Sequence, residues 1–193
     1  MIEKRYALIT GASSGLGAEF AQQLAALGHP LILVARREEK LTALASTLRE
    51  QYGVAVEVIA ADLSQPETPQ KIAALCSASG WQVDWLINNA GVAGPDLLKD
   101  RDWSQQHAFY QLMMLSVAEM CHLFIPSMVE RGQGRVINIA SVAARVPRSG
   151  GCNYGPAKAY VVALSEELHL SVAGQGVNVS ALCPGFTHTE FHE

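Results

Sequence analysis

Arg5-Tyr6-Ala7-Leu8-Ile9-Thr10 followed by Gly11-Ala12-Ser13-Ser14-Gly15-Leu16-Gly17 is the stretch that decides the fold. A short apolar run breaks at a glycine-rich turn, and Leu16, Phe20, Leu24 and Leu27 then recur at helical spacing until Gly28. The order is strand, turn, helix. Glycines in that context let a backbone approach a pyrophosphate, whose charge meets the free N–H groups of a helix N-terminus. Taken alone, the cluster is equally a tight turn; its place directly after the first strand favours a nucleotide site.

The alternation continues along the chain. Leu31–Val34 reads as a strand buried on both faces, and Glu38–Tyr52 as a helix closed by Gly53. Strands at Val54–Ala60 and Val83–Asn88 flank a helix at Pro66–Ser79. A long helical region, Asp102–Arg131, ends at Gly132; strand Gly134–Ile139, helix Tyr154–Ala173 and strand Val177–Leu182 follow. Helices of this length between strands require right-handed crossovers, hence an α/β fold with a doubly wound parallel sheet in three α/β/α layers. Ligands of such sheets bind beyond the carboxyl ends of the strands, which places function after Thr10, Ala35, Asn88, Ile139 and Leu182.

Composition narrows the function. With 193 residues, 49% hydrophobic and 17% charged, the chain fits one globular domain spanning 1–193. A formal charge of -4 without any Lys/Arg run argues against a nucleic-acid partner. The N-terminal apolar stretch meets Gly11 too soon for a signal-peptide core or a membrane span, so a cytoplasmic protein is expected. Cys76, Cys121, Cys152 and Cys183 lie far apart among small or apolar neighbours and read as buried thiols. His188 and His192 would share a helix face with Glu190 between them, but no third ligand is visible, and no metal is expected.

The strand-turn-helix glycines have the form Thr-Gly-x-x-x-Gly-x-Gly and resemble the short-chain dehydrogenase/reductase family. The family's other marks follow in order: Asp62-Leu63, Asn88-Asn89-Ala90-Gly91, Ser141, Tyr154-Gly155-Pro156-Ala157-Lys158, and Pro184-Gly185. The resemblance spans the whole chain. It implies a Rossmann fold with strand order 3-2-1-4-5-6, the usual seventh strand absent and the C-terminal segment missing. It also implies a homo-oligomer that transfers hydride between a nicotinamide cofactor and a carbonyl or secondary alcohol.

Tyr154 and Lys158 stand four residues apart, on one face of a helix. A phenol with a pKa of about 10 ionises more easily beside a cation. By resemblance Tyr154 is the acid/base, Lys158 holds the nicotinamide ribose and lowers the tyrosine pKa, and Ser141 hydrogen-bonds the reacting oxygen. A snorkelling lysine on an amphipathic helix would give the same pair, and the upstream motifs decide against it.

The end of the second strand reads Ala35-Arg36-Arg37, where an acidic residue would accept hydrogen bonds from a ribose diol. Two guanidinium groups suit a 2′-phosphate instead, so NADP(H) is expected over NAD(H). The alternative, a solvated helix start, is weakened because cations are disfavoured at a helix N-terminus. Gly11, Ser13, Ser14, Gly15, Leu16 and Gly17 would cradle the pyrophosphate. By resemblance Asp62 and Leu63 reach the adenine, Asn89, Ala90 and Gly91 approach its ribose, and Pro184, Gly185 and Thr187 flank the nicotinamide. Asn88 would help to hold the sheet.

The pattern departs at Met113, where the family carries an Asn thought to hold a water linking the lysine to solvent. Either proton resupply is weakened, or Met113 is core filler. Local similarity of 124–131 and 184–191 to reductases of apolar ketones and acyl chains implies a hydrophobic substrate. A cofactor-binding regulator or scaffold with little turnover is the alternative function.

Overall fold

The computed structural model describes residues 5–147 and 152–185. Six parallel strands, β1 (Arg5–Thr10), β2 (Leu31–Ala35), β3 (Val56–Ala60), β4 (Gln82–Asn88), β5 (Gly134–Ile139) and β6 (Val177–Leu182), form one sheet ordered β3-β2-β1-β4-β5-β6. The order reverses between β1 and β4, so the chain leaves their carboxyl ends in opposite directions and opens a crevice there.

Helices α1 (Gly15–Ala26), α2 (Glu38–Tyr52), α3 (Thr68–Ala78), α4 (Trp103–Tyr110), α5 (Ser116–Glu130) and α6 (Tyr154–Ser171) complete the layers. Each central strand is apolar on both faces and divides its side chains by the period of two. Leu8, Ile32, Val34 and Leu86 pack with Met120, Phe124 and Ile125 of α5. Ala7, Ile9, Leu31, Leu33 and Ile87 pack on the other face with Leu24 of α1 and Leu41, Ala45 and Leu48 of α2. The helical spacing of those residues turns one stripe of each helix to the sheet.

Between α4 and α5 the helix widens into a π-helical turn, Gln111–Leu115, where a continuous α-helix was expected. The combined helix Trp103–Glu130 is long and apolar enough to cross a membrane by length and composition, yet half of its most apolar window is buried inside the protein. Burial against the sheet accounts for that hydropathy.

Two cysteines depart from expectation. Cys76 and Cys121 are buried, and burial pushes their thiols up to about 11 and about 12 respectively. Cys152 and Cys183 are exposed instead, because both lie in the connections that leave the sheet at its carboxyl edge.

The sheet encloses a polar chain. Asn88 Nδ2 donates to Asn138 Oδ1 at 2.9 Å, and Asn138 Nδ2 donates to Ser165 Oγ at 2.9 Å. Ser165 Oγ in turn donates to the Val161 carbonyl at 2.7 Å. The expected role of Asn88 in the sheet is thus explicit, with Asn138 its link to α6. Asn138→Ala removes two buried hydrogen bonds and leaves Asn88 Nδ2 only the weak acceptor Cys121 Sγ at 3.6 Å, so it should cost about 1–3 kcal/mol. A fall of several degrees in the thermal midpoint is expected; an unchanged midpoint would show that the chain contributes nothing net.

Candidate active site

The first turn is locked onto the end of β4. The Thr10 hydroxyl accepts the backbone N–H groups of Asn89 and Ala90, both at 3.0 Å, and lies 3.4 Å from the Ile87 carbonyl it donates to. Asn89 Nδ2 donates back to the carbonyls of Thr10 at 3.0 Å and Gly11 at 3.2 Å. Gly11 has φ +65°, and a Cβ there would lie 2.8 Å from Ala90 Cα. A Cβ on Gly17 would fall 2.3 Å from the Gly11 carbonyl oxygen and 2.6 Å from Asn89 Nδ2. Only glycine admits so close a helix.

A cleft of about 1110 Å³ opens over this edge, lined by Gly11, Ser13, Ser14, Gly15 and Leu16 on one side. Gly17 is buried behind the turn and absent from that lining, so it serves the packing of α1 rather than the wall itself. Ser14, at the cap of α1, makes no side-chain cap hydrogen bond. Its hydroxyl accepts from Arg37 at 2.9 Å, and Ser13 Oγ accepts from the same guanidinium at 3.1 Å. The first N–H groups of α1 therefore keep their capacity for an anion.

Arg36, Arg37, Asp62, Leu63, Asn89, Ala90 and Gly91 also line this end. Leu63 is buried in the core, so the cleft meets it only at its edge. One Asp62 carboxylate oxygen accepts the Ser64 N–H at 2.9 Å, which shapes the turn after β3. Asn89 contributes more than backbone: its amide is the clasp described above.

At the far end Ser141, Tyr154 and Lys158 come together, joined by Pro184 and Gly185. Ser141 caps the short 3₁₀ turn Val142–Ala144, its Oγ accepting the Ala143 N–H at 3.1 Å. The Ala140 N–H donates to the Leu182 carbonyl at 2.7 Å and the Val142 N–H to that of Pro184 at 3.0 Å, tying the two loops. Tyr154 opens α6 and hydrogen-bonds Ser141. Lys158, one turn on and 5% exposed, donates to the Ile139 carbonyl at 2.6 Å. Its ammonium lies 5.7 Å from the Tyr154 ring centroid.

Electrostatics differ here from expectation. Burial holds the Tyr154 phenol above its ordinary value of 10.0, while the hydrogen bond to Ser141 pulls it down. Lys158 is lowered to about 8, by burial first, with Cys183 opposing. Desolvation sets the direction for both groups, since both sit where a charge loses water.

Met113 lies in the π-helical turn, 1% exposed, packed with Phe109 and Ala157. Its sulfur accepts the Val92 N–H at 3.4 Å, beside the Asn89–Gly91 segment. This is core placement, with one polar contact a hydrocarbon could not make. Thr187 and the His188, Glu190 and His192 group lie outside the described residues. Among the described residues no three His, Cys, Asp or Glu side chains gather as a metal site.

A lysine whose folded pKa is lowered binds its proton less tightly than in the unfolded chain. Between pH 8 and 10.5 the unfolded state holds the extra proton, so stability rises with pH through that window. Relative to Lys158→Met, the thermal midpoint of the parent should therefore climb from pH 8 to 10. A difference that stays constant across those pH values would show that Lys158 is not desolvated.

Comparison with known proteins gives the family. The sequence model described as short chain dehydrogenase covers residues 5–193. Sulfoacetaldehyde reductase 2 of Chromohalobacter salexigens is 34% identical over 186 residues, which are 95% of this chain and 73% of that protein. The 3-oxoacyl-[acyl-carrier-protein] reductase of Escherichia coli is 31% identical, over 97% of this chain and 75% of its own. The structure of a short-chain dehydrogenase from Sphingobium yanoikuyae in complex with NADPH superposes with TM-score 0.90 at 36% identity, over 97% of this chain and 73% of that one. Fold, clasped glycine turn and sequence together place the chain in the short-chain dehydrogenase family.

Proposed function

We propose that the chain is an NADP(H)-dependent oxidoreductase acting on a carbonyl or secondary alcohol, with Tyr154 as acid/base, Lys158 its electrostatic partner and Ser141 the orienter. The observation that carries this reading is one continuous cleft with an arginine-bearing, anion-ready turn at one end and the Ser141–Tyr154–Lys158 group at the other. Relatives of this shape include the NADPH complex named above, which favours the phosphorylated cofactor.

The residues present fit that cofactor. The α1 N-terminus suits the pyrophosphate, and Arg37, poised over Ser13 and Ser14, suits a 2′-phosphate, with Arg36 on the same wall. Asp62 and the Asn89–Gly91 segment would meet the adenosine, and Pro184-Gly185 the nicotinamide end. When bound, the cofactor supplies or accepts the hydride.

The protein's own work is with the proton. In reduction the Tyr154 phenol gives its proton to the substrate oxygen as the carbonyl electrons move onto it, leaving a tyrosinate; in oxidation the tyrosinate takes that proton from the alcohol. The Ser141 hydroxyl donates to the same oxygen and fixes its place. Lys158 supports the anion through its field, and its hydrogen bond to the Ile139 carbonyl orients the ammonium. Burial raises the proton affinity of Tyr154, which suits a donor that must not ionise before substrate arrives. This assembled group favours an enzyme over a cofactor-binding regulator. The family resemblance favours a homo-oligomer.

NADPH consumption with a panel of carbonyls tests the reading. Tyr154→Phe should lower kcat by about 10²-fold or more while the NADPH Kd stays within a few-fold. Equal turnover in that variant would remove Tyr154 from the chemistry. Replacing Arg36 and Arg37 together with serine should weaken NADP(H) binding by about 10- to 100-fold and change NAD(H) little. An equal loss for both cofactors would contradict the phosphate role.

A further inference from the structure

Large apolar side chains left in water are ordinary one at a time, and their grouping is what carries information. Among the described residues ten are markedly exposed, and four of them, Leu97, Leu98, Val142 and Val146, line the cleft over the carboxyl edge of the sheet. Leu98 is 75% exposed and Val146 57%. They come from the two loops that border the Ser141–Tyr154 end, the one after β4 and the one after β5.

The exposure of Leu98 is built into its turn. The Asp96 carboxylate accepts the N–H groups of Leu98 at 2.9 Å and Lys99 at 3.2 Å, so the turn satisfies its own polar groups and leaves the leucines outward. Asp96 also pairs through its backbone with Cys152, whose sulfur contacts the Gly94 carbonyl at 3.5 Å, fastening that turn beside Tyr154. Along these two loops the only charged side chain among the described lining residues is Arg145, which pairs with Glu166 at 3.2 Å. Among the described residues of these loops an anionic substrate would meet one cation, exposed and already paired.

We propose that the substrate is a neutral ketone, or its alcohol, whose apolar substituent lies against Leu97, Leu98, Val142 and Val146 while Ser141 and Tyr154 hold its oxygen. This rests on the proposed carbonyl chemistry at Tyr154 and adds the class of molecule. Small anionic aldehydes, such as the sulfoacetaldehyde in the name of one relative, would gain nothing from this wall.

The test is a series of methyl ketones from acetone to 2-octanone with NADPH, run beside sulfoacetaldehyde. The kcat/KM should rise by about two- to fourfold for each added methylene, the scale of apolar burial. The double variant Leu98→Ser with Val146→Ser should flatten that series. Leu27→Ser, which removes an equally exposed leucine (74%) outside the cleft, should keep it. A flat series in the parent, an undiminished series in the double variant, or a preference for sulfoacetaldehyde would overturn the proposal. If no carbonyl is turned over, the carbonyl chemistry fails, and calorimetric binding of 2-octanone and acetone decides the rest. Tighter 2-octanone binding that the double variant weakens upholds the apolar wall, and equal binding of the two ketones overturns it.

Discussion

The hydroxyl of Thr10 and the amide of Asn89 hold the site together. The hydroxyl takes two N–H groups from the end of β4, and the amide returns two hydrogen bonds to the end of β1. Strand order diverges at this seam, so without such a clasp the two loops would be free to part. Each hydrogen bond contributes only about 1 kcal/mol net. Their larger effect is geometric: they fix Gly11 against Ala90, which forces α1 in so close that Gly17 can carry no side chain. The N-terminus of α1 is thereby aimed along the cleft before any anion arrives.

At the other end the protein accepts a cost. A lysine 5% exposed and a half-buried phenol both lose hydration, and the lowering of Lys158 to about 8 expresses that loss. The compensations are local: the Ile139 carbonyl for the ammonium, the Ser141 hydroxyl for the phenol. Desolvated groups respond strongly to a partner that brings charge or hydrogen bonds, which a water-facing pair would not. The polar reacting centre and the apolar loops beyond it give one cleft two characters, one for the oxygen and one for what it is attached to.

Much of this was legible in the residues. Apolar runs of strand length alternating with helical stripes gave the layers, because β1, β2 and β4 are apolar on both faces and α1 and α2 on one. Gly53 marked the close of α2, and it sits there at φ +67°. The spacing of Tyr154 and Lys158 put both on one helix face, and only the upstream motifs made the pair a candidate site. What pattern could not supply was anything set by distant partners. The Asn138–Ser165 bond joins residues 27 apart and the Thr10–Asn89 clasp residues 79 apart. The π-helical turn has no breaker to announce it, since Gln111-Leu112-Met113-Met114-Leu115 suits an α-helix as well. The direction of the Tyr154 shift was hidden for a related reason, since spacing shows who is near but not how much water has been lost.

The central claim is that the clasped turn and the Ser141–Tyr154–Lys158 group are two ends of one preformed cofactor cleft. A crystal structure of the protein with NADP⁺ tests it most directly. The account predicts the 2′-phosphate beside Arg37 and the Ser13 and Ser14 hydroxyls, and the pyrophosphate on the N-terminus of α1. It places the nicotinamide between Pro184-Gly185 and Tyr154, with the Thr10–Asn89 hydrogen bonds unchanged from those in the free protein. A cofactor bound elsewhere, or one seated only after that clasp has opened, would contradict it.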